Sequence, residues 1–122
     1  MVTLNDGIRR ITALADEKEW GNDIAIKIYY AMIELGEAGD IWKHRDDEKY
    51  LADIGITREG VPTAVAEELI DTIIYCLHGF SCIGFWDADY LFDMKMKINK
   101  ERKRIYTDDV QSSFQTTKEK QE

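Results

Sequence analysis

Apolar residues recur in steps of three and four through most of the chain, and a single proline, Pro62, interrupts them. That spacing stacks apolar side chains on one face of an α-helix. Ile8, Ile11, Leu14 and Ala15 predict a first helix ending near Lys18, with Asn5 or Asp6 as its N-cap. Trp20-Gly21-Asn22-Asp23 reads as a break followed by a new cap. From Ile24 to about His44, the residues Ile28, Met32, Leu35, Ala38, Gly39 and Trp42 trace one stripe. Residues 45–60 mix charges with Gly55 and Gly60 and hold no period, so a connecting loop with one helical turn is expected. Pro62 suits a first helical position, and Val65, Leu69, Ile73, Ile74, Leu77 and Phe80 carry a third helix to about Cys82. Asp87 can cap a fourth, running to about Ile105 on Leu91, Met94 and Ile98. An all-β chain would need a turn signal about every 8–12 residues, which one proline and eight glycines do not supply. The expected fold is all-α: a bundle of about four helices forming one domain over 1–106, followed by a polar, aperiodic and mobile tail over 107–122.

Charge narrows the partners. With 16 Lys plus Arg against 24 Asp plus Glu, the net charge is −8. A nucleic-acid polymer calls for an excess of cations on the protein, and so does a polybasic membrane anchor, so neither partner is expected. The longest apolar stretch, Ile70 to Trp86, contains Asp71, His78 and Ser81 and reads as a buried helix rather than a membrane span. Cys76 and Cys82 stand six positions apart, roughly 9 Å along a helix axis and on different faces, so they cannot pair with each other. Unpaired thiols without a basic-then-apolar leader point to a reducing, cytoplasmic setting. Both thiols read as core, and His78 reads as a hydrogen-bonded core residue.

The informative residues are acids beside apolar stripes. Glu34 and Glu37 are three apart and share a helix face near Tyr30, Ile33 and Ile41. Glu68 and Asp71 repeat the spacing on the third helix, flanked by Val65 and Tyr75. Either pair alone is the ordinary solvated face of a charged helix. If the two helices pack as neighbours, however, four carboxylates converge, and like charges at about 4 Å repel by about 4 kcal/mol at an effective dielectric near 20. Such a cluster needs protons, basic partners or bound cations, and oxygen-only ligands suit Mg²⁺, with Mn²⁺ as a substitute. A di-iron site would require histidine three residues after a glutamate, and neither His44 nor His78 is so placed.

A basic run, 95–104, ends the fourth helix with six cations and one acid. Lys95, Asn99 and Arg102 lie within about 60° of one another around the axis. They can grip phosphate oxygens, or simply complement the negative end of the helix dipole.

Taken in order, Glu34-x-x-Glu37, Glu68-x-x-Asp71 and Lys95-x-x-x-Asn99-x-x-Arg102 resemble the MazG-like all-α nucleoside triphosphate pyrophosphohydrolases. The resemblance spans about residues 20–106, with a somewhat longer interval between the two acidic motifs. It implies Mg²⁺-dependent hydrolysis of an NTP or dNTP, non-canonical or surplus, to the monophosphate and pyrophosphate. Glu34, Glu37, Glu68 and Asp71 would hold the metals, and Glu34 or Glu37 would accept a proton from the attacking water. Lys95, Asn99 and Arg102 would meet the phosphates. The family assembles as homodimers or homotetramers. The base needs a stacking surface, for which Trp20 and Trp42, then His44 and Tyr75, are the candidates, each also readable as core. Lys27, two turns before Glu34 on the same face, is a further phosphate candidate or an exposed lysine. The alternative reading is a helical oligomerisation or regulatory module that binds nucleotide and metal without turnover.

Overall fold

A computed structural model describes residues 1–102. Ile105 and the tail over 107–122 lie outside the described residues. The described chain is helical, without a strand: α1 (Leu4–Lys18), α2 (Ile24–Lys43), α3 (Glu48–Asp53), a 3₁₀ turn (Arg58–Gly60), α4 (Val61–Cys82) and α5 (Ala88–Glu101). No helix among these residues is long and apolar enough to cross a membrane. The chain divides into two compact units, the first Met1–Asp89 and the second beginning at Tyr90, inside α5.

Local chemistry sets the helix ends. The cap of α1 is Thr3, not Asn5 or Asp6: its hydroxyl accepts from the Asp6 amide at 3.0 Å, and the Asp6 carboxylate accepts from the Thr3 amide at 3.3 Å. This reciprocal box satisfies two amides that would otherwise lack partners. Those bonds, together with the Arg9 guanidinium, hold the Asp6 carboxyl below its ordinary range. Asn5 serves the other end of the unit instead. Its side-chain oxygen accepts from the Asp89 amide at 3.0 Å, while the Asp89 carboxylate accepts from the Leu4 amide at 2.9 Å. The starts of α1 and α5 thus satisfy each other. Asp23 caps α2 through the Ala25 amide at 2.9 Å. Pro62 stands in the first turn of α4, where its missing N–H costs nothing.

Within the first unit α2 packs along α4, and α1 packs on α4. Two glycines permit the approach: a Cβ on Gly7 would lie 2.8 Å from Leu77, and one on Gly79 would lie 2.9 Å from Ile24. The expected loop over 45–60 is more ordered than its sequence suggests. Leu51 of α3 is fully buried and, with Ile41 and Val61, forms a small core against Tyr50, Ile56, Ala64 and Val65.

Of the expected α2 stripe, Ala38 is buried, but most of the stripe is not the face that this chain buries. Lys27, Ala31, Ala38 and Ile41 are buried, whereas Ile28 and Met32 are 54% and 63% exposed and Leu35 and Trp42 are also exposed. On α4, Leu69, Ile73 and Ile74 are likewise exposed. Apolar periodicity identified the helix but not its inward side, because the inward side carries Lys27 and Glu34. Cys76 is exposed rather than core, and Cys82 is half-buried.

Candidate functional site

The pairing of α2 and α4 is antiparallel, and each step of three or four residues up α2 is matched by the same step down α4. Glu37 faces Glu68, Glu34 faces Asp71, Tyr30 meets Tyr75 with ring centroids 5.4 Å apart, and Lys27 lies by His78. Two acidic pairs at the same spacing, one per helix, therefore meet.

Carboxylate oxygens of Glu34, Glu37 and Glu68 lie within 4.8 Å of one another. Glu37 is exposed, while Glu34 and Glu68 are half-buried. Burial, then the Glu37 charge and a hydrogen bond shared with Glu37, then the charges of Glu68 and Asp71, push the Glu34 carboxyl up to about 7. Glu68 is raised for the same reasons, with burial first and the charges of Glu37 and Asp71 next. One oxygen of Glu68, Oε1, is fully buried and accepts no hydrogen bond. An oxygen so placed is met by a proton or a cation, because leaving it bare costs its whole desolvation penalty. The residues thus fit a hard cation: oxygen donors only, close together, with one lone-pair face unmet.

A cleft of about 730 Å³ runs from this cluster along the two helices. Glu34 and Asp71 border one end, Tyr30 and Tyr75 the middle, and Lys27 and His78 the other end. Trp20 closes the cleft from the α1–α2 connection. Its position follows from Glu19, which ends α1 in the left-handed region at φ 58° and lets the Trp20 amide return to the Ala15 carbonyl at 2.9 Å. Burial and the charge of Glu34 keep the Tyr75 phenol above its usual range, so it stays a donor beside the carboxylates.

The other predicted residues fall elsewhere. Trp42 and His44 do not border this cleft, because they lie beyond the carboxylates at the far end of α2. Trp42 is 52% exposed with the Arg45 guanidinium 4.4 Å above its ring. His44 stacks on Tyr50 at 4.0 Å and donates from Nδ1 to the Asp40 carbonyl at 2.8 Å. Lys95, Asn99 and Arg102 are exposed and belong to the second unit, with Lys95 and Asn99 on α5 and Arg102 just past its end.

His78 and Tyr30 were missed as lining residues. The signal was available: Tyr30 stands one turn before Glu34 and Tyr75 one turn after Asp71, positions that face each other once the helices run antiparallel. His78 is buried as expected, but its ring makes no hydrogen bond among the described residues. Comparison with protein-family models, curated proteins and solved structures gives no match, so the reading of the site rests on its own geometry.

Proposed function

We propose that this chain is a Mg²⁺-dependent nucleoside triphosphate pyrophosphohydrolase of the MazG-like all-α type. It would clear surplus or non-canonical nucleotides. The observation that carries the reading is the convergence of Glu34, Glu37 and Glu68 oxygens within 4.8 Å, with a buried Glu68 oxygen that accepts no hydrogen bond. Glu34, Glu37, Glu68 and Asp71 would hold the metal, with Mn²⁺ as a substitute. Bound Mg²⁺ supplies a lowered water pKa and neutralises charge on the triphosphate. Glu34 or Glu37 takes the proton from the water that attacks the α-phosphorus, releasing pyrophosphate from the monophosphate. Lys95, Asn99 and Arg102, in the second unit, are carried over as phosphate donors from the sequence motif alone. Trp20 and Tyr75 offer the nucleoside its aromatic contacts, since both border the cleft that begins at Glu34 and Asp71.

The chain works as a homo-oligomer in this reading, a homodimer or homotetramer. Support comes from the apolar residues that α2 and α4 leave exposed, among them Ile28, Met32, Leu35, Leu69 and Ile73, a run that a second copy would cover. The test is pyrophosphate release from a panel of NTPs and dNTPs with and without Mg²⁺. Saturable Mg²⁺-dependent binding without product would instead mark a non-catalytic nucleotide-binding module.

A further inference from the structure

Lys27 and His78 are the two buried polar side chains of the described residues, 7% and 5% exposed, and they lie on facing helices at the same end of the cleft. Neither makes a side-chain hydrogen bond or ion pair among the described residues. Their side chains are buried as a whole but their nitrogens are not sealed off, so each keeps hydrogen-bonding capacity open to the cleft. Both border open cleft volume, so a ligand group can meet them there.

Position limits what that group is. Lys27 precedes Glu34 by seven residues, roughly 10 Å along the axis of α2. Between them stand Tyr30 and Tyr75, and around Lys27 stand Trp20, Leu14 and Ile26. A nucleotide whose phosphates sit at the carboxylates therefore brings its base, not its phosphates, to Lys27. The surroundings are those of a flat, weakly polar ring: aromatic and aliphatic walls with few polar groups.

We propose that Lys27 and His78 read the base, and that the preferred substrates carry a carbonyl oxygen beside a ring N–H, as uracil, thymine, hypoxanthine and guanine do. This deepens the proposed function and rests on it. An ammonium group donates and cannot accept, so it matches a carbonyl oxygen and opposes an exocyclic amine. The imidazole of His78 is held below its usual pKa by burial first and by the charge of Lys27 next, with Asp16 opposing. It is neutral and keeps one lone pair, which accepts from the ring N–H. Cytosine and adenine present the reverse pattern, an amine beside a bare ring nitrogen, and would leave Lys27 facing a donor. Asp23 also borders this end, but its carboxylate is engaged in capping α2.

Two matched nucleotide pairs isolate the exocyclic group: dUTP against dCTP, and dITP against dATP. With the full chain, kcat/KM for pyrophosphate release in Mg²⁺ and Kd by Trp fluorescence in Ca²⁺ are measured for each. A hydrogen bond from a charged donor predicts a preference of about 10- to 100-fold for the carbonyl member in both pairs. K27M should bring both ratios near one by weakening the carbonyl member alone, while K27R retains part of the preference. Equal or reversed ratios in the unaltered chain would overturn the proposal without any variant, and so would ratios unchanged in a folded K27M. Hydrolysis without base preference removes this inference and leaves the proposed activity standing. Preferential binding without hydrolysis removes the activity and leaves the base-reading end standing, and absence of both removes both.

Discussion

Glu34 faces opposing demands, since the position that suits a cation ligand also discourages ionisation when the cation is absent. Its folded pKa of about 7 stands above the ordinary glutamate value of 4.5. The metal-free fold therefore binds a proton that the unfolded chain has lost, and its stability falls as pH rises from about 4.5 through about 7. Below that window the contribution is fully present; above it, the contribution is lost. Mg²⁺ competes with the same proton, so stabilisation by Mg²⁺ should grow across the same interval. Thermal melts from pH 4.5 to 8.5, with and without Mg²⁺, check both signs. E34Q should flatten the metal-free slope and reduce the Mg²⁺ effect, whereas an unchanged slope would show that Glu34 is not the titrating group. The spacing of the acids was legible in the sequence because a three-residue step on a helix has one geometric meaning. The burial of Lys27 was not, because which face turns inward depends on the partner helix.

At the scale of the elements, the short helix α3 fixes the end of the α2–α4 pair that lies next to the carboxylates. Ile41 stands one turn beyond Glu37, and Val65 nearly one turn before Glu68, and both pack in the cluster that Leu51 completes. L51A should cost about 2–5 kcal/mol, the range for truncating a buried leucine, read from urea unfolding. It should also weaken Mg²⁺ binding, since the register of the two acidic pairs depends on this contact. A loss below about 0.5 kcal/mol, the scale of a surface change, would mean that α3 is not anchored. The long helices were legible to within a residue or two at their ends, because Asp23, Pro62 and the glycines punctuate them. The 45–60 segment was not, since Leu51 and Ile56 are too few to show a period and only their burial against Ile41 and Val61 orders them. Thr3 was overlooked as a cap because Asn5 and Asp6 are equally good capping types, and the choice turns on the reciprocal bond that Asp6 makes back to Thr3.

For the whole molecule, the apolar stripes left outside by α2 and α4 are the surface on which the proposed assembly is tested. Light scattering should give a multiple of the single-chain mass. Charge placed on the stripe, as in I28E with M32E, should return it to the single-chain value without touching a carboxylate; a single-chain mass for the unaltered protein would contradict the assembly. The acidity of the chain, −8 overall, is consistent with a small polyanionic substrate only if cations mediate the contact, because the paired acids Glu34, Glu37, Glu68 and Asp71 would otherwise repel it. The most direct test is product identity. Incubation with NTPs and dNTPs in Mg²⁺, followed by phosphorus NMR, should show monophosphate and pyrophosphate in equal amounts, abolished by chelation and reduced at least 100-fold in E37A and D71A. Orthophosphate with a diphosphate nucleotide, or pyrophosphate release that survives both substitutions, would contradict the assignment.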